Sequence, residues 1–294
     1  KETIYTCYVI EKDRKLLGTV SVKDLLLNDY SCKISDIMDS NIIAVNTLDD
    51  KEDVVKKFSK YDLLAIPVVD NEDRLIGIIT VDDAMDVMEE EATEDMEIMA
   101  AMTPSEKSYL KSTPFDLYKH RIPWLMLLMV SATFTGMIIS SFESALALLP
   151  ALTAFIPMLM DTGGNCGAQS STMVIRGLAL GQIAPRDIGR VLWKELRVSL
   201  LCGLCLAGAN FVKMLVIDRL LLGNAEVTPM VCLVVCLTIL FVVIFAKCVG
   251  CSLPLLAEKI GLDPAVMASP FISTIVDATS LLIYFRFASW LLGI

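Results

Sequence analysis

Two hydrophobic patterns divide this chain. Residues 1–88 read as short β-branched runs separated by charged turns and followed by amphipathic stretches, the signature of a small α/β domain. From residue 122 onward come five long apolar runs, 122–141, 145–176, 191–217, 227–256 and 265–292. Each supplies the roughly 20 helical residues needed to cross a hydrocarbon core about 30 Å thick. The pattern predicts an α/β cytosolic domain followed by an all-α membrane domain, 122–294, of five transmembrane helices. Between them, 89–121 should form an acidic connecting helix.

The α/β half contains a repeat at an offset of 59 residues. Val9-Ile10 and the run from Leu16 to Asp24 match Val68-Val69 and the run from Leu75 to Asp83. Each copy predicts a strand, a charged turn, a second strand ending in Ser or Thr, and a helix opened by Asp. A helix capped by an Asp, with Val54, Val55 and Phe58 at helical spacing, completes the second copy. Met38-Asp39, Pro67-Val68-Val69-Asp70 and the Gly-x-x-Thr/Ser-x-x-Asp runs resemble a tandem of CBS domains. That resemblance implies a possible adenine nucleotide, such as ATP, held by Ser21 with Asp24 and by Thr80 with Asp83. The first copy lacks its opening strand and helix, so the chain is expected to begin inside it.

Charge is distributed unevenly. Residues 1–110 hold 25 of the 35 Asp and Glu against 12 of the 25 Lys and Arg, which leaves that half near −13 and the rest near +3. Such a field repels nucleic acid and attracts multivalent cations. Asp86, Glu89, Glu90, Glu91, Glu94, Asp95 and Glu97 place like charges at helical spacing, which opposes helix formation until something neutralises them. A hydrated Mg2+ would do so through one or two carboxylates; a solvated linker helix is the alternative. There is no Met at residue 1 and no basic leader, so the first apolar run is expected to direct membrane insertion itself. The pairs Cys202/Cys205 and Cys248/Cys251 lie in apolar helical runs, where cysteine acts as a small hydrophobe rather than a metal ligand.

Polar residues inside the apolar runs carry the functional signal. Asp277 lies deep in the fifth run, where a carboxylate costs at least about 2.5 kcal/mol and must face a bundle interior or a water path. Ser269, Ser273, Thr274, Thr279 and Ser280 add a polar side to that helix, with Ser273 and Asp277 at i and i+4 on one face. In the second run, 157–171 is dense in glycine and polar residues. It reads as a polar break that lines water or, alternatively, as a close helix contact. Lys111, Lys119 and Arg121 before the first run, and Arg176, Arg186, Arg190, Lys194 and Arg197 around the second connection, mark the cytoplasmic side. With five spans, the C-terminus falls outside.

The stretch Pro157 to Gln169 resembles the membrane signature of the MgtE family of magnesium channels, Pro-x5-Gly-Gly-Asn-x-Gly-x-Gln. The CBS pair, the acidic segment, the five spans, Gly261 to Ala265 and the final Asp follow in that family's order. The resemblance implies a homodimer in the cell membrane, with the CBS part cytoplasmic and a pore on the two-fold axis lined by the second and fifth spans. Asp277 would then hold hydrated Mg2+, with Ser273, Asn165 and Gly164 lining the path; the family often has Ala at the position of Ser273. Asp83, Asp86, Glu91, Glu94, Asp95 and Asp263 would take regulatory Mg2+ and close the pore when cytosolic Mg2+ is plentiful. The family usually carries a further acidic helical domain before the CBS pair, absent from this sequence.

No enzyme reading survives. A membrane metalloprotease needs His-Glu-x-x-His, and His120 is the single histidine; a pump needs a phosphate-binding loop motif that the chain lacks. The alternative function is a secondary transporter of Co2+, Ni2+ or Zn2+, or a proton- or sodium-coupled Mg2+ exporter. Few soft ligands in the fifth run disfavour Zn2+.

Overall fold

A computed structural model describes residues 5–105 and 107–293, apart from the side chain of Ser269, and the chain divides into two compact units, Lys1–Thr93 and Glu94–Ile294. In the first unit, β1 (Thr6–Ile10) pairs antiparallel with β2 (Leu16–Ser21) and leads into α1 (Val22–Leu27). After α2 (Ile34–Ile37), β3 (Val45–Asn46) and α3 (Lys51–Tyr61), the arrangement recurs as β4 (Ala65–Val69), β5 (Leu75–Thr80) and α4 (Val81–Met99). The second sheet runs β3-β4-β5, with β3 parallel to β4.

The repeat seen in the sequence is a repeat of geometry. Both hairpins bulge at equivalent places, Val9/Ile10 and Val68/Val69. Their turns place Arg14 and Asp73 at positive φ, 70° and 61°. The turns also bond to each other reciprocally: Leu16 N–H donates to the Asp73 carbonyl and Leu75 N–H to the Arg14 carbonyl, each at 2.9 Å. The two copies are thus related by a local two-fold. Apolar spacing on α3, capped by Asp50, buries Val54, Val55 and Phe58 against Val45, Ile66 and Ala84. Asp70 accepts from the backbone N–H of Arg74 and of Glu72, both at 2.9 Å, and the Arg74 bond above all holds its carboxyl below the usual carboxylate range. Part of the acidic excess therefore shapes turns.

The connecting segment differs from the expectation. α4 continues as predicted through its acidic run but stops at Met99, and the described residues of 100–113 contain no helix. A capping box formed by Thr113 and Asp116, with Pro114 at the first turn, starts a new helix there, so 89–121 is two helical pieces rather than one.

The second unit is helical. It comprises α5 (Pro114–Ser141), α6 (Glu143–Leu148), a 3-10 turn (Pro150–Phe155), α7 (Ile156–Ala179), α8 (Ile188–Lys213) extended by a π-helical stretch (Met214–Leu221), α9 (Pro229–Lys259) and α10 (Ser269–Leu292). α9 is the most apolar, and α7, α8 and α10 pack around it. Leu159, Val235, Ile239, Val243, Ile272, Val276 and Leu281 form the centre of the core. Among the described residues, four helical stretches, Pro114–Ser141, Pro185–Leu221, Pro229–Lys259 and Pro264–Leu292, are long and apolar enough to cross a membrane. α7 is not among them. Its 24 residues reach about 36 Å at ~1.5 Å each, so polarity rather than length sets it apart.

The polar break predicted within 157–171 lies elsewhere. α7 runs as unbroken helix through Gly163, Gly164 and Gly167; the interruption is upstream, where Pro150 holds Leu149 at φ −141° and ends α6. The glycines serve close packing. A Cβ on Gly167 would meet Ile272 and stand 3.3 Å from the Ala246 carbonyl, and one on Gly163 would meet Val276 and Val242.

Candidate ion path and regulatory residues

α7 has two unlike faces. Gly163, Gly164, Cys166, Gly167, Ser170, Ser171 and Val174 turn into the bundle. Asp161, Asn165, Gln169, Thr172 and Arg176, spaced three or four residues apart, form an exposed stripe. Five polar side chains in line on a helix of membrane-spanning length cannot face hydrocarbon without large cost, so this face requires water or another polar surface.

α10 supplies the second wall. Ser273 comes within 3.3 Å of where a Cβ on Gly164 would stand, so the glycine admits the serine to the surface of α7. Asp277, one turn further on, is half-buried. Thr274 and Thr279 donate to the carbonyls of Pro270 and Ile275 on their own helix, at 3.1 and 2.8 Å. The side chain of Ser269 lies outside the described residues. The structure thus brings Ser273 against Gly164 with Asp277 one turn along α10, and sets Asn165 on the exposed face one turn from Asp161. Asp161 lies within the polar stretch 157–171, and the argument made for Asp277 applies to it as well.

The residues expected to bind nucleotide form two equivalent pairs. Ser21 Oγ donates to Asp24 Oδ2 at 2.6 Å and Thr80 Oγ1 to Asp83 Oδ2 at 2.8 Å, each at the junction of a strand and a helix. Ser21 also accepts from the Asp24 N–H at 3.0 Å and so caps α1. An open hollow of 580 Å3 is bounded by Tyr5, Ser21, Val22, Lys23, Leu26 and Leu27.

The expected regulatory carboxylates have varied surroundings. Asp83 takes the Thr80 hydroxyl, and Asp86 is exposed on α4. Lys51 Nζ stands 2.6 Å from Glu91 Oε1. Glu94 and Asp95 are half-buried on the next turn of the same helix. Asp263 accepts from the Ala265 N–H at 2.7 Å and caps the 3-10 turn that leads into α10. Among the described residues, no three Asp, Glu, His or Cys side chains converge as a metal-binding group.

Comparison with known proteins accounts for both units. A family model for the MgtE divalent cation transporter matches residues 156–287, and one for the CBS domain matches 34–90. A magnesium transporter MgtE of Thermus thermophilus is 39% identical over 293 residues, 99% of this chain and 63% of that protein. One of Enterococcus faecalis is 36% identical over 292 residues, 98% of this chain and 61% of that protein. The chain therefore spans about three fifths of the length of these curated relatives, which are transporters and not enzymes. A crystal structure of the cytosolic domain of the Mg2+ channel MgtE in complex with ATP is 42% identical over 29% of this chain and 35% of that one, with a TM-score of 0.29. The chain is thus similar along nearly its whole length to MgtE magnesium transporters, with a CBS domain at 34–90 and an MgtE divalent cation transporter domain at 156–287.

Proposed function

We propose that the chain conducts Mg2+ across the cell membrane along the polar face of α7 and α10. The single observation that carries this reading is the stripe Asp161, Asn165, Gln169, Thr172 and Arg176, which one chain leaves exposed on a helix of spanning length. A second copy facing the first across a two-fold axis would turn both stripes, and both Asp277 carboxylates, toward a shared water-filled path. The stripe and α10 offer oxygen ligands while Cys166 faces the bundle, which suits a hard cation over Co2+, Ni2+ or Zn2+. Mg2+ sheds water reluctantly, so the carboxylates hold it through its hydration shell.

The basic residues Arg176, Arg186, Arg190, Lys194 and Arg197 support a reading in which the α7–α8 connection and the CBS part are cytoplasmic and the C-terminus is outside. In this reading the carboxylates of α4, Asp83, Asp86, Glu91, Glu94 and Asp95, together with Asp263, respond to cytosolic Mg2+. Bound ions relieve the like-charge repulsion along α4 and favour a closed path. Liposomes containing the purified chain test both parts at once. Mg2+ uptake is expected with Mg2+-free lumen on the cytosolic face and is expected to fall when that face holds millimolar Mg2+. Absence of uptake would defeat the transport reading, and uptake indifferent to cytosolic Mg2+ would defeat the regulatory one.

The pairs Ser21/Asp24 and Thr80/Asp83 are suited to the hydroxyls of an adenine nucleotide, and we extend the proposal to ATP. ATP at a hundredfold excess over its dissociation constant is expected to add about 2.7 kcal/mol to the stability of the α/β unit. Asp83→Ala should remove most of that gain in a urea titration. An equal gain in the variant would place the nucleotide elsewhere.

A further inference from the structure

On the side of α7 turned away from the stripe, a chain of polar groups crosses three helices. Lys247 of α9 is only 4% exposed, in the most apolar helix of the molecule. Its Nζ donates to Ser170 Oγ of α7 at 3.3 Å, and Ser170 Oγ donates to Glu195 Oε2 of α8 at 2.6 Å. Ser170 itself is 2% exposed. One turn away, the backbones of α7 and α9 meet at Gly167 and Gly250. With about 100° per residue, Ser170 lies roughly 140° round the helix from Asn165, so these groups grip α7 from behind.

A lysine in such a place is costly. Its ammonium is tolerated only with a compensating partner, and an apolar side chain of similar length would commonly pack there at no loss of stability. The transport reading leaves this lysine without a role, because it does not reach the polar face. What it does reach is the helix that carries that face.

Resting on the reading of α7 as a wall of the ion path, we propose that Lys247, Ser170 and Glu195 form an ionic brace that fixes α7 against α8 and α9 and so sets the width and selectivity of the path. Lys247 is a positioning residue: it touches no ion and acts through Ser170. The brace and the Gly167–Gly250 contact hold α7 at two neighbouring levels, which limits both its rotation and its displacement from α9.

The test compares the full chain with Lys247→Met, which removes the ammonium that donates to Ser170, and Ser170→Ala, which removes only the bridging hydroxyl and keeps the test open if Lys247→Met does not fold. In liposomes, the Mg2+ concentration for half-maximal uptake and the ratio of Mg2+ to Ca2+ uptake are measured separately from the maximal rate. A charged maleimide reports the position of α7 through its rate of labelling at Gln169→Cys, above that of the chain's own cysteines. The brace predicts a shift of about tenfold in half-saturation or in the ion ratio, with a changed labelling rate, in whichever variant folds. Native half-saturation, ion ratio and labelling in a folded variant would overturn it, even if the maximal rate fell with the amount of protein. Should the unaltered chain pass no Mg2+, the pore reading fails, and the labelling rates alone then decide the brace.

Discussion

Gly250→Ala is expected to be the most damaging small substitution in the helical unit. A Cβ at that position would fall on the carbonyl oxygen of Gly167, with the carbonyl carbon at 3.0 Å and the Cα at 3.1 Å. The obstacle is backbone on both sides, so no rotamer change relieves it and α7 must move away from α9. Overpacking of a tight interior costs about 1–3 kcal/mol, and a clash that cannot relax belongs at the upper end. At roughly 2–4 °C per kcal/mol for a unit of this size, the melting temperature of the detergent-solubilised chain should drop by about 6–12 °C. Gly208→Ala is the control. A Cβ there meets nothing within 4 Å on the exposed side of α8, so alanine should be neutral or raise stability by up to about 1 kcal/mol. Similar melting of both variants would mean that α7 and α9 do not meet at Gly167 and Gly250.

The same pair of glycines shows where sequence reading stopped. The repeat at 59 residues was legible because its turn residues and its Ser and Thr caps recur at fixed positions, and the reciprocal bonds between Arg14, Leu16, Asp73 and Leu75 follow that offset. The apolar runs revealed the helical unit for an equally local reason, since length and hydropathy do not depend on neighbours. The glycines of 157–171 did depend on them. Whether a glycine frees the backbone or admits another helix is decided by the partner, here Ala246, Gly250, Ile272 and Val276, which lie far along the chain. Pro150, whose effect is local, gave the real interruption and was available to inspection.

The candidate site was legible in part for similar reasons. Asp277 and Asn165 stood out as polar groups in apolar surroundings, and Asp161 stood in the same stretch without being given weight. Lys247 carries the same signal in the most apolar helix, but a lone lysine in an apolar run does not reveal its partner. Glu195 and Ser170 could not have been tied to it from sequence, since the three residues sit on three helices. The acidic run of α4 was legible as charge, whereas the pairing of Glu91 with Lys51 and the capping by Asp263 required the fold.

Asp277→Asn should nearly abolish Mg2+ uptake while leaving the fold intact. Asn keeps the shape and hydrogen-bonding reach of Asp and removes its charge. A divalent ion about 5 Å from a carboxylate, held through water, gains roughly 7 kcal/mol at an effective dielectric of ~20. Desolvation offsets much of that, but even about 2.7 kcal/mol retained corresponds to roughly a hundredfold in occupancy. A two-fold pore would lose two such charges at once, so the effect should exceed that of neutralising Asp161 at the mouth of the stripe. Asp277→Glu keeps the charge at a longer reach and should retain a measurable part of the flux.

Mg2+ uptake into liposomes holding equal amounts of folded native chain and Asp277→Asn tests the central claim most directly. Uptake by the native chain, with a loss of about a hundredfold in the variant, is the result expected of a carboxylate on the ion path. Equal uptake by both would show that the ion does not pass Asp277 and that the polar face of α7 and α10 is not the path.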